Sequence, residues 1–310
     1  MLIVLALGGN ALLRRGEPMR PDAQLANIRA ACAAIAPLAN DHRLVITHGN
    51  GPQVGLLALR EADGDPFPLD VLDAESEGMI GYLIERELRS LLGPQQELAV
   101  VLTMVEVDPG DPAFANPTKP IGPTYDADVA QRLASIHHWT VKHDESGYRR
   151  VVASPEPVRI VELEPIRMLL ERGCVVICTG GGGIPVTERA GSLEGIQAVI
   201  DKDLASALLA AELAADLFVM ATDVDGVYAD WGTPSQSLLR EAELSALREQ
   251  SFAAGSMGPK VEAACRFVAQ TQRPAVIGAL EELGAVVEGR AGTRIVARRP
   301  AAAAAGNSRF

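Results

Sequence analysis

Three of the four lysines in this chain of 310 residues stand in segments that suit phosphate chemistry. The chain has 24 arginines, so a lysine is expected where a compact ammonium serves better than a planar guanidinium. Lys119 precedes a proline, Lys202 lies between two aspartates, and Lys260 follows a Gly-Pro pair. Ammonium groups can offset the negative charge of a phosphoryl group during its transfer. We therefore interpret these lysines as candidate catalytic residues.

Asp203 is a further candidate catalytic residue, at the predicted start of a helix. Asp201 is expected to cap this helix, which places Lys202 and Asp203 in its first turn. Asp203 could orient the lysines or help to hold Mg²⁺, and it could equally complement the helix dipole.

Glycine-rich turns follow three of the predicted strands. The turn residues that could bind substrate or phosphate are Gly8, Gly9, Asn10, Gly49, Asn50, Gly51, Gly181 and Gly182. Glycine permits close approach of the backbone, so each turn could point N–H groups into one cleft. Each turn alone could equally be an ordinary connection between a strand and a helix. Three of them at one sheet edge favour an anion site.

Neither common nucleotide fingerprint is present in good form. The segment around Lys260 lacks the Walker A pattern. Gly49, Gly51 and Gly55 resemble a dinucleotide-binding turn, but no acidic residue ends a strand about 20 residues later, which disfavours an NAD(P) oxidoreductase. No Ser-His-Asp or Cys-His arrangement indicates a nucleophile. Phosphoryl transfer to a carboxylate-like anion needs no general base, because that acceptor has no proton to remove.

The elements that must position these residues form an alternation of strands and helices. Strands are predicted at residues 2–7, 44–47, 99–105, 175–179, 217–222 and 275–277. Helices are predicted at about 22–39, 70–92, 201–214 and 257–271. Strands that are apolar throughout indicate an α/β fold with an open, mainly parallel sheet sandwiched between helices. Ligands then bind outside the carboxyl ends of the strands.

One domain is predicted over residues 1–300. Within it, residues 106–157 are Pro-rich, polar and irregular, which indicates a lid or protruding subdomain, since so long a structureless loop is uncommon in a compact domain. Lys119 would reach the site from this subdomain. The alanine-rich residues 301–310 are expected to form a flexible tail.

The bulk composition excludes several partners. A net charge of −12 and a pI near 5.0 disfavour nucleic acid and anionic membranes. No apolar run reaches the roughly 18 to 20 residues that span a bilayer, and the first residues do not resemble a secretory signal, so we expect a cytoplasmic protein. Cys174 and Cys178 would lie about 13 Å apart in a strand, too far for a disulfide, and all the cysteines are expected to be reduced.

Several longer segments carry a family resemblance. They cover residues 7–11, 47–55, 111–114, 117–123, 180–186, 198–206, 222–228 and 255–263. Together they resemble the carbamate kinase family, which has the amino-acid kinase fold. The resemblance implies reversible phosphoryl transfer between ATP and carbamate to give ADP and carbamoyl phosphate, often toward ATP in arginine metabolism. It also implies Mg²⁺ carried on the nucleotide without direct protein ligands, and a homodimer.

The resemblance also implies residue roles. The residues that would hold carbamate or the transferred phosphoryl group are Gly9, Asn10, Gly49, Asn50 and Gly51. The phosphate centre would consist of Lys202, Asp203 and Lys260, joined by Lys119 from the subdomain. The nucleotide side would consist of Asp223, Val224, Tyr228, Met257 and Gly258.

The chain departs from the family pattern at two places. Ser76 and Glu77 stand where the family commonly has Thr-Gln, and Tyr148 stands where it commonly has Trp. The first pair is predicted to affect helix packing or the dimer face, and Tyr148 the docking of the subdomain. Two alternatives stay open: a non-catalytic nucleotide-binding regulatory protein of the same fold, and a kinase for another small carboxylate.

Overall fold

The computed structural model of the chain describes residues 1–9, 12–13, 17, 20–60, 67–144, 147–250, 252 and 257–297. The strands are β1 Leu2–Leu7, β2 Arg43–His48, β3 Leu98–Val101, β4 Met104–Val107, β5 Lys119–Tyr125, β6 Val141–Asp144, β7 Gly147–Val152, β8 Pro157–Ile160, β9 Val175–Cys178, β10 Ile184–Arg189, β11 Ser192–Gly195, β12 Leu217–Thr222, β13 Tyr228–Ala229, β14 Ser237–Leu238, β15 Glu241–Glu243, β16 Ala275–Ala279 and β17 Thr293–Val296. The helices are α1 Pro21–Asp41, α2 Gly51–Arg60, α3 Leu69–Leu92, α4 Ala127–His137, α5 Leu163–Glu171, α6 Lys202–Glu212, α7 Leu244–Arg248, α8 Met257–Thr271 and α9 Leu283–Val287. Short 3₁₀ helices cover Pro112–Phe114, Gly180–Gly182 and Leu280–Glu282.

The central sheet has eight strands within the described residues, in the order β15-β17-β16-β12-β1-β2-β9-β3. Neighbouring strands run parallel except for the antiparallel pair β16 and β17. The predicted α/β fold with a mainly parallel sheet is therefore confirmed. Because β1, β2, β9 and β12 run in one direction, the turns that follow them lie at the same edge of the sheet.

Helices cover both faces of this sheet. Val4 and Ala6 of β1 pack on one face with residues of α5, α6 and α8, whereas Leu5 and Leu7 pack on the other with α1, α3 and α9. Burial of each large side chain contributes about 1.5–3 kcal/mol. This two-sided core explains why the strands are apolar throughout, and it fixes the strand ends that carry the glycine turns.

The predicted single strand at 99–105 is wrong, because two strands of different sheets occupy this stretch. β3 belongs to the central sheet, whereas β4 joins a second sheet in the order β11-β10-β4-β8. At the break, the Thr103 amide donates to Glu77 at 3.3 Å and its hydroxyl donates to the Val101 carbonyl at 2.7 Å. At Thr103, these hydrogen bonds to and from side chains replace the backbone hydrogen bonds that would continue β3 into β4.

Between β4 and β8 the chain forms a small separate sheet. β5, β7 and β6 pair antiparallel in that order, with α4 between β5 and β6. Gly55 of α2 lies so close to Gly122 of β5 that a Cβ on Gly55 would sit 2.0 Å from the Gly122 nitrogen. Within the small sheet, Tyr148 packs edge-on against His143 at 4.9 Å between ring centroids. This close contact fixes the position of β5 against α2, and with it the position of Lys119 at the start of β5.

Two further predictions concern cysteines and membrane spans. All four cysteines are free, as expected. Within the described ranges, no helix has both the length and the apolar composition that crossing a membrane requires. The predicted tail at 301–310 lies outside the described residues.

Candidate functional site

A buried cluster of charged side chains lies at the amino end of α6. The Nζ atom of Lys202 is 2.5 Å from one carboxylate oxygen of Asp203, and Nζ of Lys260 is 2.9 Å from the other. The three residues are only 8%, 5% and 6% exposed in the order Lys202, Asp203, Lys260. Lys260 comes from the first turn of α8, so Asp203 joins two helices by bridging two ammonium groups.

Asp201 brings the third lysine to the same place. Its Oδ2 is 2.5 Å from Nζ of Lys119, the first residue of β5. Its Oδ1 accepts from the amides of Asp203 and Leu204 and so caps α6, as predicted from the sequence. The three lysines and two aspartates together carry one net positive charge. Such a cluster can receive an anion.

Burial and pairing shift the pKa values in this cluster in different directions. Burial alone would raise the pKa of Asp203, but the two lysines lower it below its usual range. Burial also lowers the pKa of Lys202, and the nearby charge of Lys260 adds to this effect. For Lys260 the effect of burial is outweighed by Asp203, so its pKa is raised. A further negative partner would therefore stabilise the charged form of Lys202 against the effect of burial.

The predicted glycine turns lie against one another beside the lysines. The Gly8 amide donates to the Ala221 carbonyl at 3.0 Å, which ties the first turn to the end of β12. A Cβ on Gly49 would lie 3.5 Å from the Gly9 nitrogen, so the first and second turns face each other. Gly51 begins α2 directly after Asn50. Asn10 lies outside the described residues.

The third glycine turn fills the space between the second turn and the lysine cluster. A Cβ on Gly181, which has φ of +70°, would lie 2.2 Å from the Asn50 amide nitrogen. A Cβ on Gly182 would lie 2.5 Å from the Ile200 carbonyl oxygen, next to Asp201. Glycine is required at both positions because any side chain would collide with its neighbour.

An open cavity of about 550 Å³ adjoins the end of β12. Its lining includes three of the predicted nucleotide residues, Asp223, Val224 and Tyr228. The Tyr228 hydroxyl donates to Asp225, and its ring packs edge-on against Trp231 at 5.2 Å. The charge of Asp223 contributes to the raised pKa of Lys260, so the acidic side of the cavity faces the lysine cluster.

Met257 and Gly258 are not part of the described lining of this cavity. They form the start of α8, two or three residues before Lys260, and both are half-buried. Trp231, Gln236 and Arg240 do line the cavity, although the sequence pattern did not indicate them.

Ser76 and Glu77 are buried on the face of α3 that packs against the second and third glycine turns, so they affect the packing of this helix, which is one of the two expected effects. Asn50 donates through Nδ2 to the Ser76 hydroxyl and to Asp73, each at 2.8 Å. Glu77 accepts from the amide of Gly180 at 2.8 Å. The spacing of residues 73, 76 and 77 was the available signal, because it places three polar residues on the buried face of α3, which is otherwise apolar.

The described residues contain no group of three or more His, Cys, Asp or Glu side chains placed to hold a metal ion. Both carboxylate oxygens of Asp203 are engaged by lysines. These contacts favour the alternative in which Asp203 orients the lysines.

The chain is similar to characterised proteins over nearly its whole length. Residues 1–279 match the amino acid kinase family. The chain is 55% identical over 299 residues to a carbamate kinase of Haemophilus influenzae, which covers 95% of this chain and 96% of that protein.

The fold is also similar to solved structures of carbamate kinases. A carbamate kinase from Giardia lamblia bound to citric acid superposes with a TM-score of 0.90 at 37% identity, covering 95% of this chain and 98% of that chain. The structure of the Giardia enzyme bound to AMP-PNP superposes with a TM-score of 0.86 at 36% identity, with the same coverage.

Proposed function

We propose that this chain, which belongs to the amino acid kinase family, is a carbamate kinase that transfers a phosphoryl group reversibly between ATP and carbamate. The observation that carries this proposal is the convergence of Lys119, Lys202 and Lys260 on two aspartates beside three glycine turns. The lysines come from three separate elements, so only the folded chain assembles this charge.

The proposed reaction is an in-line displacement. In the direction of ATP synthesis, an oxygen of the ADP β-phosphate forms a bond to the phosphorus of carbamoyl phosphate, and the bond from that phosphorus to the carbamate oxygen breaks. Carbamate leaves as an anion, so no proton has to be removed or supplied by a side chain. What the protein must provide is position and positive charge.

The lysines provide that charge. Two unit charges about 4 Å apart interact by about 4 kcal/mol at an effective dielectric near 20, so two anionic substrates repel each other strongly. Lys202, Lys260 and Lys119 would contact the transferred group and offset this repulsion. Because Lys202 shares its carboxylate partner with Lys260, a phosphate oxygen would give it a second negative partner.

The turns would bind the substrates on either side of the lysines. Backbone N–H groups of Gly9, Gly49, Gly51 and Gly181 would hold carbamate or the transferred group, and the family resemblance implies the same role for Asn10. The amides of Gly8 and Gly182 already donate to the carbonyls of Ala221 and Thr179, so these two residues would hold the turns in place. The cavity lined by Asp223, Val224 and Tyr228 would hold the nucleotide, and Met257 and Gly258 would approach its phosphates from α8.

We expect Mg²⁺ to bind to the nucleotide without direct ligands from the protein. The oxygens of Asp201 and Asp203 contact lysines or the backbone, so the donor set is not a carboxylate cage. Nucleotide phosphate oxygens and water would hold the ion instead, and it would supply further charge neutralisation when bound.

We also propose that the protein is cytoplasmic and serves arginine metabolism, and that residues 106–157 form its protruding subdomain.

We further propose that the protein is a homodimer. Met79 and Tyr82 of α3 are 40% and 56% exposed, beside Leu102, which is 49% exposed. A cluster of exposed large apolar side chains favours a protein contact.

The test is a coupled assay with carbamoyl phosphate and Mg-ADP, in which ATP is measured. We expect rapid ATP formation from carbamoyl phosphate and much slower formation from acetyl phosphate. Tight binding of ADP without ATP formation from either donor would contradict the proposal and support a non-catalytic nucleotide-binding protein. A preference for acetyl phosphate would indicate a kinase for another carboxylate.

A further inference from the structure

A buried polar face of α3 lies beneath two of the glycine turns. Asp73, Ser76 and Glu77 are at most 1% exposed, and their spacing of three and four residues puts them on one side of the helix. Farther along the same side, Ile80 and Ile84 pack into the apolar core. Buried polar groups are costly unless they bond to a partner, so each of the three needs a partner at this position.

Two of these residues hold Asn50. Asp73 and Ser76 each accept a hydrogen bond from its amide nitrogen at 2.8 Å. Asn50 in turn touches Gly181, so this part of α3 supports the contact between the second and third turns.

Glu77 supports the third turn directly. Its Oε1 accepts from the Gly180 amide at 2.8 Å, and its Oε2 accepts from the Thr103 amide at a longer 3.3 Å. Gly180 is wedged in place, since a Cβ there would lie 2.4 Å from His48 Cε1 and 2.7 Å from Glu77 Cγ. Glu77 is thus the side chain that sets the position of the first residue of this turn.

The surroundings of Glu77 disfavour its charge. Burial raises the pKa of Glu77 to about 8, against the lowering effect of the two amides, and the acidic groups Asp73 and Glu162 add to the rise. Cys178 faces it from β9, with a pKa raised to about 12 by burial. His48 of β2 also lies close to this group. Burial lowers the pKa of His48 to about 4, and its Nε2 has no hydrogen-bond partner among the described residues. No salt bridge within the described part of the chain reaches Glu77.

We propose that Glu77 is a positioning residue for phosphate binding, which holds the Gly180–Gly182 turn while neutral and weakens anion binding when it ionises. This inference rests on the proposed function, because it takes the turn to be part of the phosphate site. A neutral carboxyl group still accepts the short bond from Gly180 through its carbonyl oxygen. An ionised one places a negative charge one hydrogen bond away from a turn that must receive an anion.

The experiment compares the wild type with Glu77→Gln, which keeps an oxygen for the Gly180 amide but cannot ionise. Glu162→Gln is the matched control, because Glu162 is also a partly buried acid that accepts from a backbone amide, that of Met104 at 2.7 Å. KM and kcat for carbamoyl phosphate are measured at saturating Mg-ADP from about pH 6.5 to about pH 9.5, a range that brackets the titration.

In the wild type we expect KM for carbamoyl phosphate to rise on the order of tenfold through this range, with a smaller change in kcat, because the added charge opposes anion binding. In Glu77→Gln the rise should vanish, whereas Glu162→Gln should keep a rise of the same size, displaced to lower pH because Glu162 contributes to the raised pKa of Glu77. Infrared difference spectra of the wild type should show a protonated carboxyl band at neutral pH that disappears at high pH. This band should be weaker in Glu77→Gln, in which Asp73 stays as a buried acid whose pKa is also raised by burial.

A flat KM in the wild type, or an equal rise in Glu77→Gln, would overturn the proposal. If the wild type does not convert carbamoyl phosphate at all, the proposed function fails instead. Calorimetric binding of inorganic phosphate over the same pH range then tests Glu77 independently. Its affinity must fall with pH in the wild type but not in Glu77→Gln. Should Glu77→Gln fail to fold, the pH dependence of the wild type and its carboxyl band decide the question.

Discussion

Asp203 is the residue on which the charge cluster depends. Its two carboxylate oxygens hold the ammonium groups of Lys202 and Lys260, which would otherwise repel each other by about 4 kcal/mol at close range. Because Asp203 is 5% exposed, water cannot replace it as a partner for the two lysines. A single buried carboxylate thus prepares a positive site before any substrate arrives.

Asp203→Asn should therefore destabilise the folded protein as well as slow it. The amide removes the carboxylate that both buried ammonium groups contact, and breaking a buried ion pair in this way costs about 3–5 kcal/mol. We expect a loss of this size in the free energy of unfolding, measured by urea denaturation.

Glu85→Gln is the control, because Glu85 pairs with Arg89 on the surface of α3 at 2.7 Å. Such an exposed pair one helical turn apart contributes about 0.3–0.5 kcal/mol. Equal destabilisation by the two substitutions would contradict the role given to Asp203.

At the level of elements, the site is built where strand ends meet one helix. The turns after β1, β2 and β9 lie at one sheet edge, and α3 supports two of them from below through Asp73, Ser76 and Glu77. The third turn can lie this close only because Gly181 has no side chain.

Gly181→Ala should push the Asn50 side chain away from its position and raise KM for carbamoyl phosphate by about tenfold or more, since overpacking by one methyl group costs about 1–3 kcal/mol. Gly191→Ala is the matched control: Gly191 also has a positive φ, +82°, but a Cβ there meets nothing within 4 Å. Steady-state kinetics of the two variants distinguish the clash of the new methyl group with Asn50 from the backbone strain that both substitutions cause. If both variants bind substrate equally well, the close contact with Asn50 has no role in binding.

Local sequence patterns were enough to predict the main strands, the positions of the glycine turns and the three lysines that meet at one place. Apolar runs followed by glycines mark the ends of β1, β2 and β9, and lysine is a rare residue in this chain. The role of Glu77 was not predictable in this way, because its partner Gly180 lies 103 residues farther along the chain. The break after β3 was missed for the same reason, since Thr103 bonds to Glu77 instead of continuing the strand.

At the scale of the whole molecule, a protein of net charge −12 concentrates positive charge at one buried place. The acidic surface keeps the protein soluble, while the lysine cluster attracts anions only at short range. The exposed apolar side chains of α3 lie outside this cluster and are the surface that we assign to the dimer.

Tyr82→Arg should convert the proposed dimer to a monomer, because a charge buried in an interface without a partner is costly. The mass in solution, measured by light scattering, should halve. Met168→Arg is the control, since Met168 of α5 is 63% exposed and lies on another helix. A Tyr82→Arg variant that keeps the mass of the wild type would contradict this assignment, as would a wild type that is already monomeric.

In the proposed reaction, lysines from separate elements neutralise two anionic substrates. The rate of ATP formation from carbamoyl phosphate and Mg-ADP in Lys260→Ala tests this role, with Lys142→Ala as the control. Lys142 is exposed, and its Nζ bonds only to Asn116 at 3.2 Å among the described residues. We predict a loss of about three orders of magnitude for Lys260→Ala and near wild-type turnover for Lys142→Ala. Near-normal turnover by a folded Lys260→Ala protein would contradict the account.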